Sequence, residues 1–521
     1  MKRRDFLRTT LPATVLPAVI NGFSVKAFGA ESPLAQLLVG STVTDHVLVI
    51  VQLSGGNDGL NTVIPIDEYS SYYAARPNIA IPEARILKLT DKTGLNPAMT
   101  GMKSLYDDGK LGVIQSVGYP TPNFSHFRAT DIWMSASASN EVLISGWAGR
   151  YLNYEYPNFP VGFPNTDMPD PLGIQIGSTT TLTFQGPAFS EGMAISNPTS
   201  FYNLLNGVED PAPNTNAGKE LKYVRLVGKQ TSSYASQVKN AALAVTQQAP
   251  YPTPNSLADQ LKIVARLIKG GLKTRVYMVQ YGGFDNHSNQ TTIADTTLGT
   301  HANLLRNVSD AVKAFQDDLK FLGIEERVVG MTFSEFGRRI KSNSSVGTDH
   351  GAAAPVFLFG KNVIPAVLGN NPTLPSSVTV NDNIPMQYDF RSIYATLLEN
   401  WLCVKNADLQ QILLQNFQSL PLVNSAICHP LPPSTAGTGY LEIWGTPFTT
   451  SAKIVYRTDG GHTLLQIFDT MGRLIAIPVD TNLPAGSYNY IYESGILSPG
   501  VYYVRLQNGA VQQVKAMVKV R

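Results

Sequence analysis

Two short stretches of the chain set carboxylates beside imidazoles. GGFDNHSNQ carries Asp285 and His287 one residue apart, and GTDHGAAAP carries Asp349 adjacent to His350. Carboxylate oxygen and imidazole nitrogen together are the donor set of zinc, manganese or iron. Several carboxylates gathered in one place repel one another unless a cation neutralises them. One or two divalent ions would make the clustering reasonable, a pair lying about 3.5–4 Å apart. Asp58 in SGGNDGLNT and Glu335 in TFSEFGRR extend the candidate metal set. Ser125 and His126, in PNFSHFRATDIW, are the candidate catalytic pair, and Arg128 and Arg338 are candidate clamps for an anionic substrate. Each signal has a plainer reading when taken singly. Ser125 at a loop-to-helix start suits an N-cap, Asp58 suits a turn, and Glu335 could pair with Arg338 or Arg339. His301 heads an amphipathic helix and reads as a cap or core-edge residue, while His46, His429 and His462 lack any acidic cluster at a strand end.

What unites the strong candidates is position. DHVLVIVQLSGGNDG, KLGVIQSVG, TRVYMVQYGG, RVVGMTFSEFG and APVFLFG are apolar runs bounded by glycine, the pattern of strands buried on both faces. The acidic and imidazole clusters follow such runs, or lie in the connection between the fourth and the fifth. Ligand sites of parallel sheets lie beyond the carboxyl ends of the strands. Helical periodicity lies between the runs, in AMTGMKSLYDDGK, SLADQLKIVARLIKGG, HANLLRNVSDAVKAFQDDLKFLG and YDFRSIYATLLENWL. Strands alternating with helices predict an α/β domain over 40–428, a mainly parallel sheet flanked by helices. The Pro-, Gly-, Asn- and Thr-rich stretch 155–215 reads as a long insertion over that core.

The remaining segments have other textures. HPLPPSTAGTG, 429–439, is a linker by composition. From Tyr440 to Arg521 the helical patterns vanish and short, turn-separated strands predict a small β-sandwich. Residues 1–30 read as an export leader. Arg3 and Arg4 precede Asp5, Phe6 and Leu7, then comes a moderately apolar stretch broken by Pro12, Pro17, Asn21 and Gly22, with cleavage expected near Ala27–Ala30. A twin-arginine signal read by its translocase fits this pattern, with an ordinary secretory signal as the alternative. No segment reads as a permanent transmembrane helix. The chain has 521 residues, 15% of them charged, and a net charge of +2. With no basic block after the leader, nucleic-acid binding has no support. Cys403 and Cys428 are expected to pair in an oxidising compartment, buried free thiols being the alternative.

Taken together, SGGNDGLNTVIP, PNFSHFRATDIW, GGFDNHSNQ, FSEFGRRIKSN and TDHGAAAP, behind a twin-arginine leader, resemble the bacterial family called domain of unknown function 1501, grouped with the alkaline phosphatase and sulfatase superfamily. The resemblance spans roughly residues 40–425. It implies that Asp58, Asp349 and His350 hold one metal, that Asp285 and His287 hold a second, and that Ser125 takes the nucleophile's place. A metal-dependent hydrolase of phosphate or sulfate esters, on a small-molecule or glycan substrate, follows as the expectation. A non-catalytic cell-surface binding protein is the alternative. Neither cysteine opens a Cys-x-Pro-x-Arg signature, which disfavours a formylglycine sulfatase. The C-terminal LLQIFDTMGRLIAIP, LSPGVYYVRLQNG and closing KVR resemble the type A sorting domain of the Bacteroidetes type IX secretion system. That resemblance implies export through the periplasm to the cell surface or medium, with the type IX machinery as the partner of 440–521.

Overall fold

The computed structural model describes residues 44–196, 233–424, Cys428 and most of 440–520, together with a pair of antiparallel N-terminal strands, Pro17–Ile20 and Phe23–Lys26. The Arg3–Arg4 pair, the expected cleavage region and the linker 429–439 lie outside the described residues. The chain divides into two compact units, Met1–Asn424 and Ser425–Arg521.

A nine-stranded sheet forms the centre of the first unit. Its strands are β1 (Val47–Ser54), β2 (Leu111–Gly118), β3 (Gly173–Ile176), β4 (Gly192–Ile195), β5 (Val276–Gly282) and β6 (Val328–Phe333). A two-stranded hairpin, β7 (Arg338–Ser342) and β8 (Thr348–His350), stands apart from it. The sheet then continues with β9 (Ala354–Phe359), β10 (Val367–Leu368) and β11 (Tyr388–Asp389). The order is β10-β2-β9-β6-β1-β5-β3-β4, with β11 also on β2. All neighbours are parallel except at β9, which runs antiparallel to both β6 and β2. This reversal puts the start of β9 at the edge where the parallel strands end. The β7–β8 hairpin, running from the end of β6 to the start of β9, therefore belongs to the same edge as the loops after β1 and β5.

The continuous apolar runs follow from coverage on both faces. Val47, Val49 and Val51 of β1 share a core with Tyr277, Val279 and the helices α2 (Thr100–Asp107), α5 (Ser256–Lys269) and α6 (Thr300–Phe321). On the other face α3 (His126–Ser135) lays Trp133 against Phe333, with Phe390 of α7 (Phe390–Asn400) stacked on the same indole. Each fully buried aliphatic or aromatic side chain here contributes about 1.5–3 kcal/mol. Asn255 caps α5, its Oδ1 accepting from Leu257 N and Ala258 N. The described part of the stretch expected to be an insertion over the core, up to 196, instead supplies β3 and the edge strand β4. Those two are four residues each, too short to announce a strand.

The second unit is antiparallel throughout. β12 (Tyr440–Trp444) and β15 (Gly500–Asn508) both pair with one edge of β13 (Ser451–Asp469), β14 (Leu474–Glu493) pairs along its other edge, and β16 (Val511–Lys519) pairs with β15. AKIVYRT and TLLQIFD, which read as two strands, are one. Gly460 and Gly461 sit inside β13 with positive φ, and across them the buried positions change from Ala452, Ile454 and Tyr456 to Leu465 and Ile467. Both halves enter one core with Val504, Leu506 and Met517. Both cysteines of the chain are disulfide-bonded. Among the described residues no helix is long and apolar enough to cross a membrane.

Candidate functional site

The loops after β1, β5 and β6 meet the start of α3 and the hairpin β7–β8 at the common edge. Gly55, directly after β1, has φ +121°, and a Cβ there would lie 2.4 Å from the Asp285 backbone nitrogen. Only a glycine lets the β1 loop approach the β5 loop so closely.

Four polar side chains converge between these loops. Asp285 Oδ1 lies 3.1 Å from His287 Nε2, 3.2 Å from His350 Nε2 and 3.5 Å from His126 Nε2. The opposite nitrogen of each ring is held by an acceptor. His126 Nδ1 is 2.7 Å from Glu335 Oε1, His287 Nδ1 is 3.1 Å from Asp349 Oδ1, and His350 Nδ1 is 2.8 Å from the Phe124 carbonyl. A carbonyl or carboxylate oxygen only accepts, so each Nδ1 carries a proton, and each Nε2 is turned to the centre, where a cation could take its lone pair. His126 Nε2 is buried without any hydrogen-bond partner. Orientation by a carboxylate or carbonyl behind the ring is how proteins prepare imidazoles for a metal. Three such nitrogens, one of them the orphaned buried Nε2, and one carboxylate oxygen fit a first-row divalent ion.

Two charged groups behind the centre, Glu335 and Arg338, are buried. Glu335 accepts from Gly55 N at 2.8 Å as well as from His126. Arg338, 1% exposed, donates to five acceptors: the carbonyls of Gly55, Gly56, Phe284 and Thr348, and Asp285 Oδ1 at 2.7 Å. Burial works against ionisation of Asp285, but the bonds from Arg338 and His350 outweigh it and the carboxyl sits at about 2. For His350, burial holds the ring below the ordinary histidine value against the pull of Phe124 O and Asp285.

Of the residues singled out in the sequence, the structure brings together His126, Asp285, His287 and His350. Glu335 and Asp349 stand behind two of the imidazoles. Asp58 is held in a separate buried ion pair, both oxygens 2.8 Å from Arg76 Nη1, with Gln290 Nε2 donating at 2.5 Å. Gln290 in turn accepts from Thr348 Oγ1, which links Asp58 to the residue before Asp349. Ser125 occupies the N-cap of α3, exposed, and makes no side-chain cap bond. Arg128 donates to Ser137 Oγ and to the carbonyls of Ala138, Ser139 and Glu141, so it ties down a loop. His301 is buried, with Nε2 2.9 Å from Asn57 Oδ1. Arg76 and Gln290 went unremarked in the sequence. Gln290 lies three positions past His287, and Arg76 follows a short helix, Tyr69–Ala75, that carries no metal-type residue.

Residues 221–406 match the family model described as protein of unknown function (DUF1501). The matched stretch holds Asp285, His287, Glu335, Asp349 and His350 but neither Asp58 nor Ser125 and His126. No curated protein matches the chain. Among solved structures, the chain is similar to the PsFucS1 sulfatase from Pseudoalteromonas sp., at 12% identity and TM-score 0.30, over 87% of this chain and 84% of that one. A structure from a study of glycosaminoglycan metabolism by Bacteroides thetaiotaomicron shares 9% identity at TM-score 0.35, over 91% and 89%. An alkaline phosphatase superfamily protein from Vibrio parahaemolyticus shares 8% identity at TM-score 0.29, over 85% and 84%.

Proposed function

We propose that the chain is an exported, metal-dependent hydrolase of phosphate or sulfate esters. The observation that carries the reading is the convergence of three Nε2 lone pairs on Asp285, each imaged from behind by an acceptor. His126, Asp285, His287 and His350 would hold the ion. When bound, it would act as a Lewis acid on an anionic oxygen and lower the pKa of a nucleophile. Glu335 and Asp349 keep two imidazoles in the ligating tautomer. Arg338 keeps Asp285 ionised and fixes the three loops in register. Ser125, exposed at the N-terminus of a ten-residue helix, is the candidate nucleophile, and the positive end of the helix favours an anion there.

Turnover of an aryl phosphate and aryl sulfate panel tests this, with and without a chelator and in Asp285→Asn and Ser125→Ala. The reading expects chelator-sensitive hydrolysis that Asp285→Asn abolishes. Retained turnover in Ser125→Ala would remove the serine from the reaction while leaving the metal reading intact. The non-catalytic alternative is favoured by one observation. Both arginines available as anion clamps are spent on backbone carbonyls, and bound metal without turnover across the panel would select it.

Export through a twin-arginine leader, and surface delivery by residues 440–521 through type IX machinery, complete the proposal. The second unit's described residues include no His/Cys/Asp/Glu cluster of metal-binding size confined to that unit. Replacing Arg3 and Arg4 by lysine should hold the protein in the cytoplasm, and removing 440–521 should leave it in the periplasm. Normal surface delivery of the truncated chain would defeat the sorting assignment.

A further inference from the structure

We infer that the site binds a single divalent transition-metal ion, on His126, Asp285, His287 and His350, and that buried guanidinium groups occupy the place of a second cation. The inference rests on the metal-dependent reading above and narrows it. First, the ligand atoms gather around one oxygen, and those of His126, Asp285 and His350 all lie within 4.8 Å of one another. Asp285 Oδ1 is within 3.5 Å of every Nε2, and two of those nitrogens are 2.9 Å apart. Second, the carboxylates that a second ion would need are already engaged. Glu335 and Asp349 each accept from an imidazole Nδ1, and Asp58 has both oxygens on Arg76.

Third, the charges balance for one ion. Four carboxylates, those of Asp58, Asp285, Glu335 and Asp349, face two guanidinium groups, Arg76 and Arg338, which are 0% and 1% exposed. Arg339 spends its guanidinium at the surface on the Asn381 carbonyl. The carboxylates and guanidinium groups of the network leave an excess of two negative charges, which one divalent ion cancels. A second would leave the cluster positive beside two arginines held out of water, where repulsion is least screened. Three nitrogens and one oxygen also select a borderline ion such as zinc, manganese or iron over calcium or magnesium, which take oxygen ligands.

The test is stoichiometry on the full-length protein, independent of turnover. After dialysis against a chelator, the chain is titrated with Zn2+ and with Mn2+ by calorimetry, bound metal is measured by elemental analysis, and the Mn2+ form is examined by electron paramagnetic resonance. The inference expects one equivalent, the hyperfine pattern of an isolated Mn2+, and at least a hundredfold weaker binding in His126→Ala and His350→Gln. Two variants are used so that poor folding of one does not decide the result. Two equivalents that both vanish in Asp285→Ala, or an exchange-coupled manganese spectrum, would overturn the single-ion inference and leave the metal-dependent hydrolase standing. One equivalent unaffected by either histidine variant would overturn the ligand set. No bound metal at all would overturn both the inference and the reading beneath it.

Discussion

The Nε2 atoms of His287 and His350 lie 2.9 Å apart, while the Nδ1 of each ring is committed to Asp349 and to the Phe124 carbonyl respectively. With a proton on Nδ1 of both rings, a cation shared between the two Nε2 atoms would hold them at this approach. Metal removal should therefore destabilise the fold. An ion present at a hundred times its Kd stabilises the folded state by about 2.7 kcal/mol. Thermal melts in a chelator should fall by several degrees and recover on adding Zn2+ or Mn2+. A melting temperature indifferent to both would contradict the arrangement.

Arg338 should be among the most costly residues to replace. It joins the loops after β1 and β5 to the β7–β8 hairpin through four carbonyls and Asp285. Asp285 is half exposed and screened by solvent, so the cost lies in the buried carbonyls left without a donor, roughly 1–3 kcal/mol for each unsatisfied group. Arg338→Met should lower the urea midpoint accordingly, and Arg338→Lys should recover little, since an ammonium lacks the planar fork. A loss under about 1 kcal/mol in Arg338→Met would mean that the carbonyls find water instead.

The same network shows what a sequence can and cannot disclose. Asp285, His287, Asp349 and His350 were legible because strand-like runs end just before them or flank their connection. The direction of β9 was not, since an apolar run carries no polarity, yet that reversal is what delivers Asp349 and His350 to the common edge. Arg338 read as a candidate anion clamp because its partners are mostly backbone carbonyls from three loops, and carbonyls leave no trace in side-chain identity. Asp58 followed its strand as expected, but Arg76 comes from another element and claims it. In the second unit short, turn-separated strands were expected, but Gly460-Gly461 sits within one strand, where two positive-φ residues change the buried parity without ending the pairing.

Gly55 offers a test of how tightly the β1 loop sets the site. Its φ of +121° is unfavourable for any side chain, and an added Cβ would collide with the Asp285 backbone. Gly55→Ala should push Asp285 away from the three imidazoles and weaken metal binding more than it lowers stability. Gly271→Ala is the control, with a positive φ of +97° but no atom within 4 Å of the new Cβ. It should lose a little stability and bind metal normally. Equal metal affinity in both variants would show that the close approach of Gly55 does not position Asp285.

His301 should shape the acid limb of stability. Burial dominates and pushes the ring down to about 4, against the upward pull of Asp58, with Arg338 and Arg76 adding to the depression. The unfolded imidazole titrates near 6.5, so between about pH 4 and 6.5 the unfolded chain binds a proton that the folded chain refuses. Stability from this residue is therefore intact above about pH 6.5 and falls as the pH drops through that window, by at most about 3 kcal/mol. His46, also depressed chiefly by burial, adds to the same limb. His301→Gln keeps a donor within reach of Asn57 and cannot titrate. Its denaturant midpoint should decline less steeply from pH 6.5 to 4 than that of the natural protein, with His46 supplying part of the remaining slope. Superimposable pH profiles for the two proteins would show that His301 is protonated as readily in the folded chain as in the unfolded one.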